Sequence, residues 1–383
     1  MEKGADVVII GGGIVGVSIA YHLTRKKLKN LLLLERNLLG EGSTGLCAGG
    51  IRTQFATDIN IRLSLESFDF WIHFKELTGV DPEFRQVGYL FLASSPETLN
   101  LFQTNVRLQK SYDLPVELLE PEEIHHRWPF LRWEDLVGGT FCALDGYAGP
   151  HEVLSALVQM VRQQGVKIYE QTEVVGLSIK GDRVVGVKTQ AGDIETRIVV
   201  NAAGPWASEV GEMAGIEIPV KPLRRQLFFT APFCLSDKPV PLVIDFDQGW
   251  YFRPEGRGFL LSGPLDREPS FRRTIDRHAK VEAAEKAMVR VPVFQNARIA
   301  GGWAGLYEIS PDRHAILGPI PGLEGFILAN GFSGHGFQHS PAVGKAIADL
   351  ITQGRIPRDV LQLSIERFAK GRTLEEPLTA FKE

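Results

Sequence analysis

The sequence predicts an α/β fold in which one domain, built on a parallel sheet, is interrupted by a second, β-sheet-rich domain. Three observations predict it. Short apolar runs over 6–10 and 31–34 flank a stretch with helical spacing, which is a βαβ opening. Apolar runs near 193–200 and 326–329 are further candidates for buried strands, the second followed by a long amphipathic segment. Between them lie stretches, near 81–145 and 216–309, whose alternating patterns and turn residues suit antiparallel strands.

Taken in order, residues 6–10 read as a buried strand, 14–26 as a helix after three consecutive glycines, and 31–34 as a second strand ending in Glu35. Residues 86–93 alternate as a strand, and 96–112 and 121–127 read as helices. Residues 151–163 carry Val153, Leu154, Leu157, Val158 and Val161 at helical spacing and stop at Gly165. A meander follows over 173–179, 183–190 and 193–200, with Gly-Asp and Ala-Gly turns. A helix starts at Trp206. Strands are expected at 220–230, 242–244, 250–253 and 259–262, a charged helix over 276–290, a short strand at 326–329 and a last helix over 336–353. These readings divide the chain into a discontinuous nucleotide-binding domain (1–80, 146–215 and 310–370), a substrate or cap domain (81–145 and 216–309) and a C-terminal tail (371–383).

Composition narrows the function. The 383 residues suffice for two cores, and a net charge of -4 without a basic run argues against nucleic-acid binding. No apolar run reaches the length of a membrane helix, and the first strand begins too early for a leader peptide. Cys47, Cys142 and Cys234 are odd in number and widely spaced, so neither a disulfide framework nor a metal site is expected. The default compartment is the cytoplasm, with a mitochondrial location left open.

Gly11, Gly13 and Gly16 form G-x-G-x-x-G between strand and helix. Gly11 permits the tight turn, Gly13 lets backbone approach a pyrophosphate, and Gly16 lets helix and strand pack closely. The helix N-terminus over Ile14 and Val15 offers unpaired amides and a positive dipole end to phosphates. Glu35, about twenty residues on, stands where an acid binds ribose hydroxyls. The small, polar Gly42-Ser43-Thr44-Gly45 suits a loop wrapping the same ligand, and no second fingerprint marks a separate nicotinamide domain. Gly331-Phe332-Ser333-Gly334-His335-Gly336, just before the last helix, would bring backbone and a dipole against a flat, electron-accepting ring. FAD is the dinucleotide that fits both ends.

These motifs, with Asn201-Ala202-Ala203-Gly204-Pro205-Trp206, Trp303-Ala304-Gly305 and Pro311-Asp312-Arg313, resemble the D-amino-acid-oxidase-like FAD superfamily over nearly the whole chain. Within it the chain is most similar to sarcosine oxidase β subunits, dimethylglycine dehydrogenases and heteromeric L-proline dehydrogenases. The resemblance implies a Rossmann-like FAD-binding domain of the glutathione-reductase type with a β-sheet-rich substrate domain. It implies oxidation of a secondary or tertiary amino acid by hydride transfer to flavin, and cofactor contacts from Arg36, Val174, Ala203, Gly204 and Trp206 besides the glycine motifs. Arg52 matches the arginine that holds the substrate carboxylate; a structural ion pair under the flavin is the competing role. Gln338 stands where sarcosine oxidases carry a second, lysine, ligand, and His335 is a flavin neighbour. Leu261 matches the place of their oxygen-activating lysine, which favours a dehydrogenase, with Arg253, Arg224 or Lys221 as other sources of charge. Gly305 replaces their flavin-linking cysteine, so FAD is expected to be non-covalent. His151 matches a histidine that holds a second flavin, FMN, in the β subunits; a helix-start or packing role is preferred here. Tyr251 and Tyr307 are candidates for the substrate pocket. A partner subunit or electron-acceptor protein stays open. So does a different class: a flavin-binding factor for respiratory-complex assembly with little turnover of its own.

Overall fold

The computed structural model describes residues 2–379. Val7–Ile10 is fully apolar and buried, and it pairs in parallel with Leu31–Leu34 on one side and Val199–Asn201 on the other. Leu31–Leu34 continues to Lys167–Tyr169, and Val199–Asn201 to Leu323–Asn330, again in parallel. A strand buried on both faces has no polar side, which is why these segments read as unbroken apolar runs rather than alternations. One face of this sheet carries the helices Ile14–Arg25, Asp58–Ile72, Pro150–Gln163 and Gly336–Gln353 in a shared core. The other face buries Val8, Ile10, Leu32 and Leu34 against the antiparallel strands Val174–Lys180, Arg183–Thr189 and Gly192–Glu195.

The second sheet has eight strands. Their order is Ile299–Ile309, Lys221–Thr230, Gly258–Leu265, Trp250–Glu255, Leu242–Asp245, Tyr89–Ala93, Gly138–Cys142 and Val116–Leu119. Alternation sorts its residues. Leu90, Leu92, Val243, Phe252 and Leu261 share a core with helix Arg277–Arg290, whereas Tyr89, Phe91, Leu242, Ile244, Tyr251 and Leu260 belong to the core on the opposite face. A two-residue ladder, Gly50–Ile51 with Gly146–Tyr147, stands directly before Arg52.

Several elements differ from the sequence reading. The stretch 193–200 is two strands, because the chain leaves the meander at Glu195 and enters the parallel sheet at Val199. Helix Asp58–Ile72 was not expected: Ile59, Ile61, Leu63 and Leu65 alternate as in a strand and mask the helical period. Strand Ile299–Ile309 was hidden by Gly301, Gly302 and Gly305. Strands Val116–Leu119, Gly138–Cys142 and Ile316–Ile320 were also missed. The expected tail folds back as far as Thr379, and 380–383 lie outside the described residues. Among the described residues no helix is long and apolar enough to cross a membrane.

Candidate functional site

A cleft enclosing about 1460 Å3, open to solvent, runs over the C-terminal ends of Val7–Ile10 and Leu31–Leu34. Gly11 has φ +113°, and a Cβ there would sit 2.2 Å from the Ala202 carbonyl oxygen, so only glycine makes this turn. A Cβ on Gly16 would lie 2.1 Å from the carbonyl oxygen of Gly11. Gly16 is therefore the packing glycine, set behind the cleft rather than in its lining. Gly13 is the N-cap of the helix and supplies no side-chain cap, leaving first-turn amides for an anion. The Thr44 hydroxyl takes the Ile14 amide at 3.0 Å and fixes the polar loop against the helix start, while Ser43 donates to the Leu306 carbonyl at 2.6 Å. Glu35 accepts the amides of Gly12 and Asn37 at 2.8 and 2.9 Å, which holds its carboxylate at the end of the strand.

Ile14, Val15, Arg36, Val174, Ala203, Gly204 and Trp206 also line the cleft. The Arg36 guanidinium lies 5.0 Å over the Trp206 ring, whose other neighbour is the stacked ring of Phe271. Gly334 and Gly336 line the far end beside Tyr307. Gly331 does not: its amide turns inward to Glu308 at 2.8 Å. Glu308 itself lines the cleft, and burial pushes its carboxyl up to about 8 against two amide bonds that pull it down. The sequence reading missed Glu308, which sits on an unrecognised strand.

A second chamber, of about 750 Å3, shares Cys47, Ala48, Tyr251, Tyr307, Gly334 and Phe337 with the cleft. Arg52, His335 and Gln338 come together here. Arg52 is buried, its guanidinium 3.9 Å over the Phe55 ring and bonded to the Gln54 carbonyl. Among the described residues it makes no ion pair with a carboxylate, and desolvation pulls its pKa below the ordinary arginine value. Gln338 accepts the Arg52 backbone amide at 2.7 Å, so it orients the chain that carries the cation. Asp145 does the same from the other side. It accepts the Thr53 backbone amide and hydroxyl at 2.7 Å each and the Gln54 side-chain amide at 3.1 Å, while burial lifts its carboxyl to about 6. His335 is buried, with both ring nitrogens unpartnered and its ring edge-on to Phe55 at 5.3 Å. Desolvation, aided by His339 and Arg52, holds its pKa well below the usual range, so the ring is neutral. His335 lines the chamber and not the cleft. Tyr251 and Tyr307 line both, and Tyr89 lines the chamber.

Other sequence candidates lie elsewhere. Leu261 lines neither cavity, because alternation turns it toward helix Arg277–Arg290. Arg224 is bound to Asp266 and Asp276, and Arg253 to Ala48 and Pro254 carbonyls and Glu255. Lys221 lines neither cavity; the cation that lines the cleft from this sheet is Arg225, over the Tyr251 ring at 5.2 Å. Gly305 lines the cleft, as does partly buried Cys47, whose thiol desolvation pushes up to about 11. His151 is exposed on the first turn of its helix, against the Gly40–Gly45 loop. No group of His, Cys, Asp and Glu suited to a metal occurs among the described residues.

A family model described as FAD dependent oxidoreductase (DAO) matches residues 6–350. The mitochondrial dimethylglycine dehydrogenase of Rattus norvegicus is 32% identical over 393 residues, covering 97% of this chain and 46% of the relative. FAD-dependent oxidoreductase domain-containing protein 1 of Bos taurus is 31% identical, covering 97% and 86%. The crystal structure of L-proline dehydrogenase from P. horikoshii superposes with a TM-score of 0.92 at 34% identity, covering 97% of this chain and all of that one. The chain thus spans less than half the length of the dimethylglycine dehydrogenase it matches.

Proposed function

Because the chain belongs to the DAO family of FAD-dependent oxidoreductases, we propose that it oxidises the C–N bond of a secondary or tertiary amino acid, such as sarcosine, dimethylglycine or proline. FAD is the cofactor, and the cleft fits it. The fingerprint leaves no room for a Cβ at Gly11, the helix start offers the first-turn amides beyond Ile14, whose own amide goes to Thr44, and the Glu35 carboxylate has lone pairs left for ribose hydroxyls. Gly11, Gly13, Ile14, Val15, Glu35, Arg36, Ser43, Thr44, Val174, Ala203, Gly204, Trp206, Gly334 and Gly336 would hold it. Bound there, FAD supplies the two-electron acceptor.

One observation carries the substrate assignment: a buried arginine, without a carboxylate partner among the described residues, lines a chamber that shares its lining with the cofactor cleft. A guanidinium taken out of water needs an anion, and a planar bidentate carboxylate suits it. Arg52 would take the substrate carboxylate, Gln338 and Asp145 would keep its backbone in place, and the tyrosines would close on the aliphatic part. Neutral His335 can accept a hydrogen bond from the substrate amine. The iminium product is then hydrolysed by water. The two sheets would act as the cofactor-holding and substrate-holding parts of one site, with domain boundaries near residues 80, 145, 215 and 310.

The dehydrogenase preference now rests on another ground than Leu261: among the described residues no lysine lines either cavity. Reduced enzyme would pass its electrons to an acceptor protein. Anaerobic mixing of the holoenzyme with a panel of N-methylated and cyclic amino acids tests the proposal. Bleaching of the flavin band by at least one of them is the expected result, followed by faster reoxidation with an artificial acceptor than with air. A flavin that none of them bleaches points instead to a binding module. The flavin is expected to be released by acid, since Gly305 offers no thiol and the Cys47 thiol stays protonated.

A further inference from the structure

The C-terminal segment returns to the substrate chamber and is pinned there. The Leu374 amide donates to Asp312 Oδ2 at 3.1 Å, a carboxylate already paired with buried Arg367 at 2.7 Å. Two residues on, Glu376 is only 2% exposed. Its carboxylate accepts the Ala56 amide and the Thr57 hydroxyl at 2.9 Å each, and the Asn60 side-chain amide at 3.0 Å. Those donors stand a few residues beyond Arg52, at the start of helix Asp58–Ile72. A buried carboxylate tied by three donors fixes the path of the next few residues of the chain. Pro377–Thr379 makes one 3-10 turn, and Arg313 donates to the Thr379 carbonyl at 3.3 Å. The turn delivers Leu378 into the apolar cluster of Tyr89, Leu242, Ile244 and Tyr251, where it lines the chamber.

We infer that Leu378 is a specificity-determining wall of the substrate chamber, carried there by a strap over residues 372–379 that Glu376 clamps. The inference rests on the chamber being the amino-acid site. Arg52 fixes one end of a substrate by its carboxylate; the room left for the rest is set by the apolar walls. Leu378, with Thr379 beside it, comes from a peripheral segment instead of the sheet, so its size alters the chamber without altering the sheet. An apolar wall discriminates by methylenes, each worth about tenfold or somewhat more.

The test is titration of the holoenzyme with acetate, pyrrole-2-carboxylate and benzoate, read from the perturbed flavin spectrum, so that turnover is not needed. Leu378→Ala should tighten benzoate about tenfold relative to wild type while moving acetate by about twofold or less. Leu378→Trp should weaken the two ring acids at least tenfold and spare acetate. Glu376→Ala, which frees the strap, should flatten the differences among the three acids. If Leu378→Ala does not yield holoprotein, Leu378→Val reads the same shift on a smaller scale. Equal shifts for all three acids, no shift for any, or a wild-type flavin that no carboxylate perturbs would each overturn the inference. Graded binding with no amino acid bleaching the flavin sinks the proposed reaction and leaves the strap in place. Bleaching with unchanged selectivity in the variants does the reverse.

Discussion

At the scale of single residues, the site depends on charges kept from water. Replacing Arg52 with alanine removes a charged hydrogen bond to the substrate but none of the cleft lining. Affinity for the substrate should fall about ten- to a hundredfold, for a loss of about 1.5–3 kcal/mol, with flavin content unchanged. Loss of flavin at unaltered substrate affinity would make Arg52 a structural residue. Glu308 gives a pH signature. Its folded pKa of about 8 lies above the ordinary 4.5, so between those values the folded protein holds a proton that the unfolded chain has released. Stability of the FAD-free protein should therefore fall as pH rises from about 4.5 to about 8, then level off. Denaturant midpoints across that window should show a smaller decline for Glu308→Gln. An identical decline in both proteins would show that the burial of Glu308 is not its source. Arg52 and Gln338 were visible in the sequence as types at matching positions. Glu308 and Asp145 were not, because a carboxylate inside a strand or turn has no pattern of its own until folding removes its water.

Elements were legible where their pattern was pure. The runs VVII and LLLL announce buried parallel strands, and the glycines between them announce the turn. The helix Asp58–Ile72 was illegible for the opposite reason. Its apolar residues satisfy two periods at once, and only packing against the last helix, with the Ser67 hydroxyl accepting the Ala342 amide at 3.2 Å, selects the helical one. Leu261 belongs to the same lesson: period two decides which face a strand residue takes, and it turns Leu261 into the core under helix Arg277–Arg290. Helix Gly336–Gln353 offers a test at this scale. A Cβ on Gly344 would lie 2.4 Å from Ser18 Oγ and 2.8 Å from Ser18 backbone atoms, and Ser18 donates to the Ser340 carbonyl at 2.7 Å. Gly344→Val should force apart the two helices whose N-termini flank the cofactor. A destabilisation of about 1–3 kcal/mol is expected, together with weaker FAD retention, read from the melting midpoint and the flavin-to-protein ratio. Full stability and flavin content would show that the contact relaxes freely.

For the whole molecule, the order of the sheets follows from the apolar pattern, but the ties between distant segments do not. Arg290, wholly buried at the end of its helix, donates to equally buried Asp245 at 2.7 Å and to Asp135 at 2.9 and 3.0 Å. It thereby joins the helix to the central strand of the second sheet and to the loop before Gly138–Cys142. Arg290→Met should leave Asp245 as a buried, uncompensated charge and cost about 3–5 kcal/mol, measured as a shift in the denaturation midpoint. A double variant, Arg290→Met with Asp245→Asn, should recover part of that loss. If it recovers none, the cost lies in packing rather than in charge.

The placement of the first strand in the middle of its sheet sets a timetable for synthesis. Val7–Ile10 meets one neighbour as soon as Leu34 is made, but the other, Val199–Asn201, is still unmade. At about 5–20 residues per second, the ribosome takes roughly ten to thirty seconds to supply it. Through that interval the nascent chain carries an apolar strand with one bare edge, which is a surface for chaperones or for other nascent copies to find. Leu323–Asn330 then closes the flank more than a hundred residues later. Since the cofactor cleft draws on Gly11 and on Phe337 alike, flavin capture has to wait until residue 337 is made: a chain arrested short of it lacks part of the wall that holds the cofactor.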